Sequence, residues 1–272
     1  MEEHAVVAAA RAGAESMFLP FLAMFGSVYL VGLFIVFRGW GPRRRAEAAS
    51  CFTSLFHGTP AALLALRAVL SRYHTAAGSS TTGDSSPLAL LVAPNATAED
   101  LVLDFSTAYF AVDLAHYLLF LPDEVLFIAH HLATLYVLAT CRHAVGAGAP
   151  ALLPLVVLAE ATSAAQNAWT LAGMRRDDSP LASRVYAALS LPFYAVYTAA
   201  RAALGPAWFV RMVRFFYATS GGGGPVPVWA WVSWTVVIGA GIALSILWVG
   251  NLWLAYFRER KESKQLKSSK QQ

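Results

Sequence analysis

Apolar runs of about 20 residues recur along the chain, at 17–37, 47–70, 103–121, 125–141, 150–172, 182–204 and 228–256. Short charged or Gly/Pro-rich pieces separate them. A helix crosses hydrocarbon with about 20 apolar residues, so the pattern predicts an all-α, polytopic membrane helix bundle of seven spans. Strands of a membrane barrel would show alternating segments of about ten residues, and the sequence has none. The first run, MFLPFLAMFGSVYLVGLFIVF, competes with a signal peptide. The segment before it holds Glu2, Glu3 and Glu15 against Arg11 alone, and RGWGPRRR follows without a small-residue cleavage site, which favours stop-transfer.

The pieces between the runs predict an orientation. Arg38, Arg43, Arg44 and Arg45 follow the first span, and the tail RERKESKQLKSSKQQ follows the last. The excess of Lys and Arg on cytosolic loops then places the N-terminus in the lumen and the C-terminus in the cytosol. Residues 71–100 read as a long, loosely ordered luminal loop. Asn95, in Asn95-Ala96-Thr97, is a glycosylation candidate there. Pro192 predicts a kink in the sixth span. Residues 206–220, with Arg211 and Arg214 among aromatics, predict a luminal interfacial helix. GGGGPVP is a flexible break before the last span. The chain divides into residues 1–45 (luminal N-terminus, first span, basic cytosolic loop), a membrane domain at 46–256 and a basic cytosolic tail at 257–272.

Composition agrees with a membrane protein: 57% of the 272 residues are hydrophobic and 13% charged, against about 25% charged in a soluble domain. The net charge of +4 sits largely in loops and tail. It suits an anionic cytosolic leaflet and does not point to nucleic acid. Cys51 and Cys141 fall near opposite faces and predict no disulfide, and no metal-ligand spacing occurs.

Against this apolar ground, three consecutive spans carry ionisable groups. Each costs at least ~2.5–3.5 kcal/mol inside hydrocarbon, so each needs a reason. Asp113 and His116 share a face of the third span. His130 and His131 are adjacent on the fourth and diverge by about 100°, with Thr134 following. Glu160, Ser163 and Asn167 form a stripe on the fifth, with Gln166 beside it. At a rise of ~1.5 Å per residue, Asp113, His130/His131, Asn167, Glu160 and His57 of the second span lie ~8–18 Å from the cytosolic ends of their helices. This depth predicts a polar chamber inside spans two to seven, open to the cytosol. Arg201, near the luminal end of its span, predicts a snorkelling side chain. His130, His131, Asp113 and Glu160 are candidate catalytic groups, because imidazole titrates near neutrality and can carry an acyl group beside an orienting acid. His57, His116, Thr134, Ser163, Gln166 and Asn167 are candidate chamber residues.

YFAVDL, FIAHHLATLY, LAEATSAAQNAW, FTSLFHG and the Arg201-Ala-Ala-Leu-Gly-Pro stretch together resemble the TLC family, which contains ceramide synthases and proteins of lipid homeostasis. The resemblance covers roughly residues 46–256. It implies a protein that binds or senses lipids or acyl chains in an endomembrane, the endoplasmic reticulum among them, and serves membrane lipid homeostasis. The alternative it implies is an N-acyltransferase of ceramide-synthase type. That reading uses acyl-CoA as co-substrate and His130 or His131 as nucleophile or base, and neither reading adds a cofactor. Ceramide synthases carry a pair of aspartates on the span after the histidines, whereas this chain has Glu160 and no second acid. The resemblance therefore leans toward lipid handling. A transporter or channel is a third reading, disfavoured because no repeat or broken-helix pair is visible.

Overall fold

The computed structural model describes residues 16–78, 89–220 and 224–269. The acids and Arg11 before the first span, and residues 79–88 of the long loop, lie outside them. The described chain is helical: α1 (Phe18–Val31), α2 (Pro42–Gly78), α3 (Thr97–Phe120), α4 (Val125–Ala139), α5 (Ala149–Glu160), α6 (Ser163–Arg175), α7 (Pro180–Thr198), α8 (Gly205–Ser220) and α9 (Val228–Ser269). Wide π turns extend α1 (Gly32–Val36) and α4 (Thr140–Val145) and join α7 to α8 (Ala199–Leu204).

Among the described residues, five helical stretches are long and apolar enough to cross a membrane: Phe18–Val36, Pro42–His74, Val125–Val145, Ala149–Arg175 and Val228–Lys261. The helix of the sixth predicted span, α7, falls outside that set, and so does that of the third, α3. It holds four acids, Glu99, Asp100, Asp104 and Asp113, yet Val102 to Phe110 are all buried. It packs against α1, α2 and α4, so its polar side chains meet protein rather than lipid.

Several boundaries differ from the expectation. The second span begins earlier and runs on as helix to Gly78. Residues 89–96 are ordered, not loose: Leu91 and Val92 are buried, and Pro94 pairs with Ala147 in an antiparallel bridge. The reason lies in the turn after α4, where Gly146 (φ 64°) and Gly148 (φ 93°) adopt left-handed backbone. That conformation aims the Gly146 carbonyl at the Asn95 N–H and the Gly148 N–H at the Ala93 carbonyl. The fifth span is two helices, broken at Ala161-Thr162. α7 stays continuous through Pro192. α8 is more than a surface helix: Met212, Phe215 and Phe216 enter the main core while Arg211 and Arg214 stay exposed.

A close helix contact lies where α2 crosses the start of α6. A Cβ at Gly58 would stand 2.4 Å from Ser163 Cβ, so only glycine fits without a shift of the helices. Gly58→Ala is expected to lower stability by about 1–3 kcal/mol through overpacking. The control is Gly26→Ala, where nothing lies within 4 Å of the new methyl. Thermal unfolding in detergent checks both, and equal midpoints would refute the close approach.

Candidate functional site

Two arrangements of polar side chains sit side by side in the bundle. The first is a hydrogen-bonded lattice that ties α2, α3, α4 and α6 together around Asp113. Ser50 Oγ donates to Asp113 Oδ1 (2.6 Å), Tyr109 OH donates to Oδ2 (3.4 Å), and His131 Nε2 lies 2.8 Å from Oδ2. The other ring nitrogen of His131 donates to the Phe127 carbonyl (2.7 Å). Both nitrogens therefore face oxygens, and three donors converge on the carboxylate. With Nδ1 donating to the Phe127 carbonyl, one proton lies between Nε2 and Oδ2, and the pair carries no net charge whichever atom holds it.

His116 does not join Asp113. Its Nδ1 lies 2.9 Å from the Tyr29 hydroxyl of α1. His57, fully buried, stacks on Tyr109 with ring centroids 3.9 Å apart. Its Nε2 lies 3.2 Å from Ser106 Oγ, and its Nδ1 3.7 Å from Glu160 Oε2. Ser163 Oγ donates to Glu160 Oε2 (2.6 Å), and Asn167 Nδ2 donates to Ser54 Oγ and to the Ser163 carbonyl, each at 2.8 Å. Gln166 is half-buried beside this chain of contacts. Ser50, Ser54 and Tyr29 escaped the sequence reading. The spacing of Ser50, Ser54 and His57, which puts them on one face of α2, was the signal for the first two.

The second arrangement is a cavity of about 450 Å³ among α4, α5, the α7–α8 π turn and α9, within the range of about 300–1,000 Å³ usual for small-molecule sites. Leu152, Leu155, Val156, Val237 and Ile242 are among its apolar walls. Its polar lining includes His130, Thr134, Glu160, Ser106 and Arg201. The adjacent histidines thus part company, His130 on the cavity and His131 locked in the lattice. Asp113, His116, Ser163, Gln166 and Asn167 are not part of the lining. The single polar chamber resolves into a hydrogen-bonded lattice and a mostly apolar cavity that touch at Glu160 and Ser106, both of which contact His57.

Arg201 corrects its expectation. Its guanidinium turns inward, stacks on Tyr197 at 5.4 Å and donates from Nη2 to the Ala159 carbonyl (3.0 Å). The π turn rotates it there, and Ala159 sits in the last turn of α5, where carbonyls lack helical partners. Asn95 also acquires a different setting. Its Nδ2 donates to Asp100 Oδ1 and the Cys141 carbonyl, both at 3.2 Å, and its Oδ1 accepts from the Ala149 N–H (3.1 Å). A glycan would replace one of those hydrogens. Cys51 and Cys141 are both free thiols.

Every member of the lattice and the cavity except Tyr29 falls within residues 47–254, the stretch matched by the family profile for the TLC domain. The chain belongs to the TLC-domain family. A TLC domain-containing protein of Arabidopsis thaliana is 51% identical to it over 246 residues, which is 90% of this chain and 91% of that protein. No solved structure matches it. In this TLC-domain protein the histidine pair that carries the resemblance serves two environments, and only His130 borders space that a ligand could fill.

Removing one partner of the Asp113–His131 pair leaves a buried charge or a buried polar group without its partner. Asp113→Ala is expected to cost about 3–5 kcal/mol, and the Asp113→Ala/His131→Ala double variant clearly less than the sum of the two singles. Thermal unfolding of the four proteins checks this, and additive losses would mean that the two residues act separately.

Proposed function

We propose that this TLC-domain protein binds a lipid acyl chain in the cavity among α4, α5, the α7–α8 π turn and α9, and serves membrane lipid homeostasis. The cavity carries this reading: it is walled by Leu, Val, Ile and Ala and polar where His130, Thr134, Glu160 and Arg201 meet it. Apolar walls with a few convergent polar groups are what a chain with a polar head requires. Membrane lipids are the partners this implies, with no cofactor.

A second reading, N-acyl transfer from acyl-CoA, draws on one observation. Among the described residues, no hydrogen bond occupies the ring nitrogens of His130, which lines the cavity. There the amine nitrogen would bond to the thioester carbon as the C–S bond breaks, with His130 carrying the proton from amine to departing thiolate. His131 could not play that part, because both its nitrogens are bonded.

Orientation follows the distribution of charge. At the end of the bundle that carries Asn95, Arg72 is bound to Glu99 (2.7 Å), and Arg142 to Asp100 (3.2 Å) and Asp104 (3.1 Å). The opposite end has its own pairs, Arg43 with Glu47, Arg44 and Arg175 with Asp178, and Arg176 with Glu259, so the orientation rests on the count of Lys and Arg, which is higher at that end once the tail is included. We read that opposite end, with Arg43–Arg45, Arg175, Arg176 and the tail, as cytosolic, in the endoplasmic reticulum or another endomembrane.

Filling the cavity tests the function. Ala133→Trp, on the wall, is expected to abolish retention of co-purified acyl lipid, as read by mass spectrometry of the purified protein, without a loss of folded yield. Unchanged retention would refute chain binding at this site. Amide formation from acyl-CoA and a sphingoid base, lost in His130→Ala and kept in Thr134→Val, would instead establish the transferase.

A further inference from the structure

Arg201 poses a problem of charge that chain binding alone leaves unsolved. Its side chain borders a mostly apolar cavity, and its hydrogen bond to protein is to a neutral carbonyl, that of Ala159. Its Nε is buried without a hydrogen-bond partner. Among the described residues no carboxylate lies within 4.0 Å of the guanidinium, in contrast to Arg72 and Arg142, which are each held by acids. Glu160 lines the same cavity but is turned to Ser163 Oγ at 2.6 Å and His57 Nδ1 at 3.7 Å. A guanidinium cannot shed its proton to escape burial, so the cost of an unpaired cation persists unless an anion meets it.

Resting on the acyl-chain reading above, we propose that the cavity's ligand is a single-chain amphiphile with a carboxylate head, bound with that head on Arg201 and its tail along the apolar walls. One guanidinium balances one carboxylate and presents a fork of N–H groups that fits its two oxygens. A phosphomonoester head, with charge near −2, would keep an excess negative charge beside Glu160 and is the poorer match. Thr134 Oγ1 is committed to the His130 carbonyl at 2.9 Å, which leaves Arg201, the one cationic side chain of the lining, and the His130 ring among the polar groups with spare capacity toward a head.

The experiment compares hexadecanoate with hexadecanol, equal chains with different heads, on delipidated full-length protein in detergent by equilibrium binding. Wild type is expected to prefer the acid. Arg201→Gln is expected to weaken acid binding about tenfold, as for loss of a charge-assisted hydrogen bond, and to leave the alcohol unchanged. Arg201→Lys should recover part of the loss. Equal affinity of wild type for the two probes would overturn the carboxylate assignment while leaving chain binding intact, and it needs no variant to fold. A hexadecyl phosphate that outcompetes the acid would likewise overturn it. Binding of neither probe, in wild type as in Ala133→Trp, would defeat the chain-binding reading and this proposal with it.

Discussion

A carboxylate inside a helix bundle costs several kcal/mol unless it is paired and hydrogen-bonded, and α3 carries four of them. The arrangement of helices follows from meeting that demand. Glu99 takes Arg72 from α2 and turns back to cap the Ala96 N–H at 2.7 Å. Asp104 accepts from Arg142 in the π turn beyond α4 and from the Met17 N–H ahead of α1. Asp113 takes Ser50 from α2 and His131 from α4. The helices that answer these acids, α1, α2 and α4, are the ones that surround α3. A helix too polar to face lipid becomes the axis of the bundle because its polarity is consumed by its neighbours.

The same demand accounts for how many polar side chains of the motifs are bonded to one another. Residues of one depth and one face need not share a ligand: they can exhaust one another. His131, Asp113, Asn167 and Ser163 end in contacts with protein, whereas His130 and Arg201 retain capacity toward the cavity. The distinction lies in hydrogen-bond accounting and not in residue type, which is why two adjacent histidines can have unrelated duties.

The helical architecture was legible because hydropathy reports it directly: the seven runs each correspond to helix, and the polar stripe on α2 to α6 marked the lattice. Partners within that stripe were harder to read. His116 is three residues from Asp113, yet it turns to Tyr29 on α1, because two residues on one helix face may each find a better partner across the interface. The inward turn of Arg201 was hidden because a π turn shifts side-chain direction without leaving a mark on composition. The order in residues 89–96 was hidden for a related reason. It depends on two glycines about 55 positions downstream that adopt left-handed backbone, a long-range pairing that local polarity cannot show.

The break at Ala161-Thr162 divides one span into two helices with different neighbours. α5 walls the cavity with Leu152, Leu155 and Val156, while α6 carries Asn167 into the lattice and packs on α7. An unbroken helix would tie the two faces to one axis and one rotation. With the break, side chains that set the cavity's width can change size while the anchoring half keeps its seat, so cavity shape and structural integrity are separable traits within a single apolar segment.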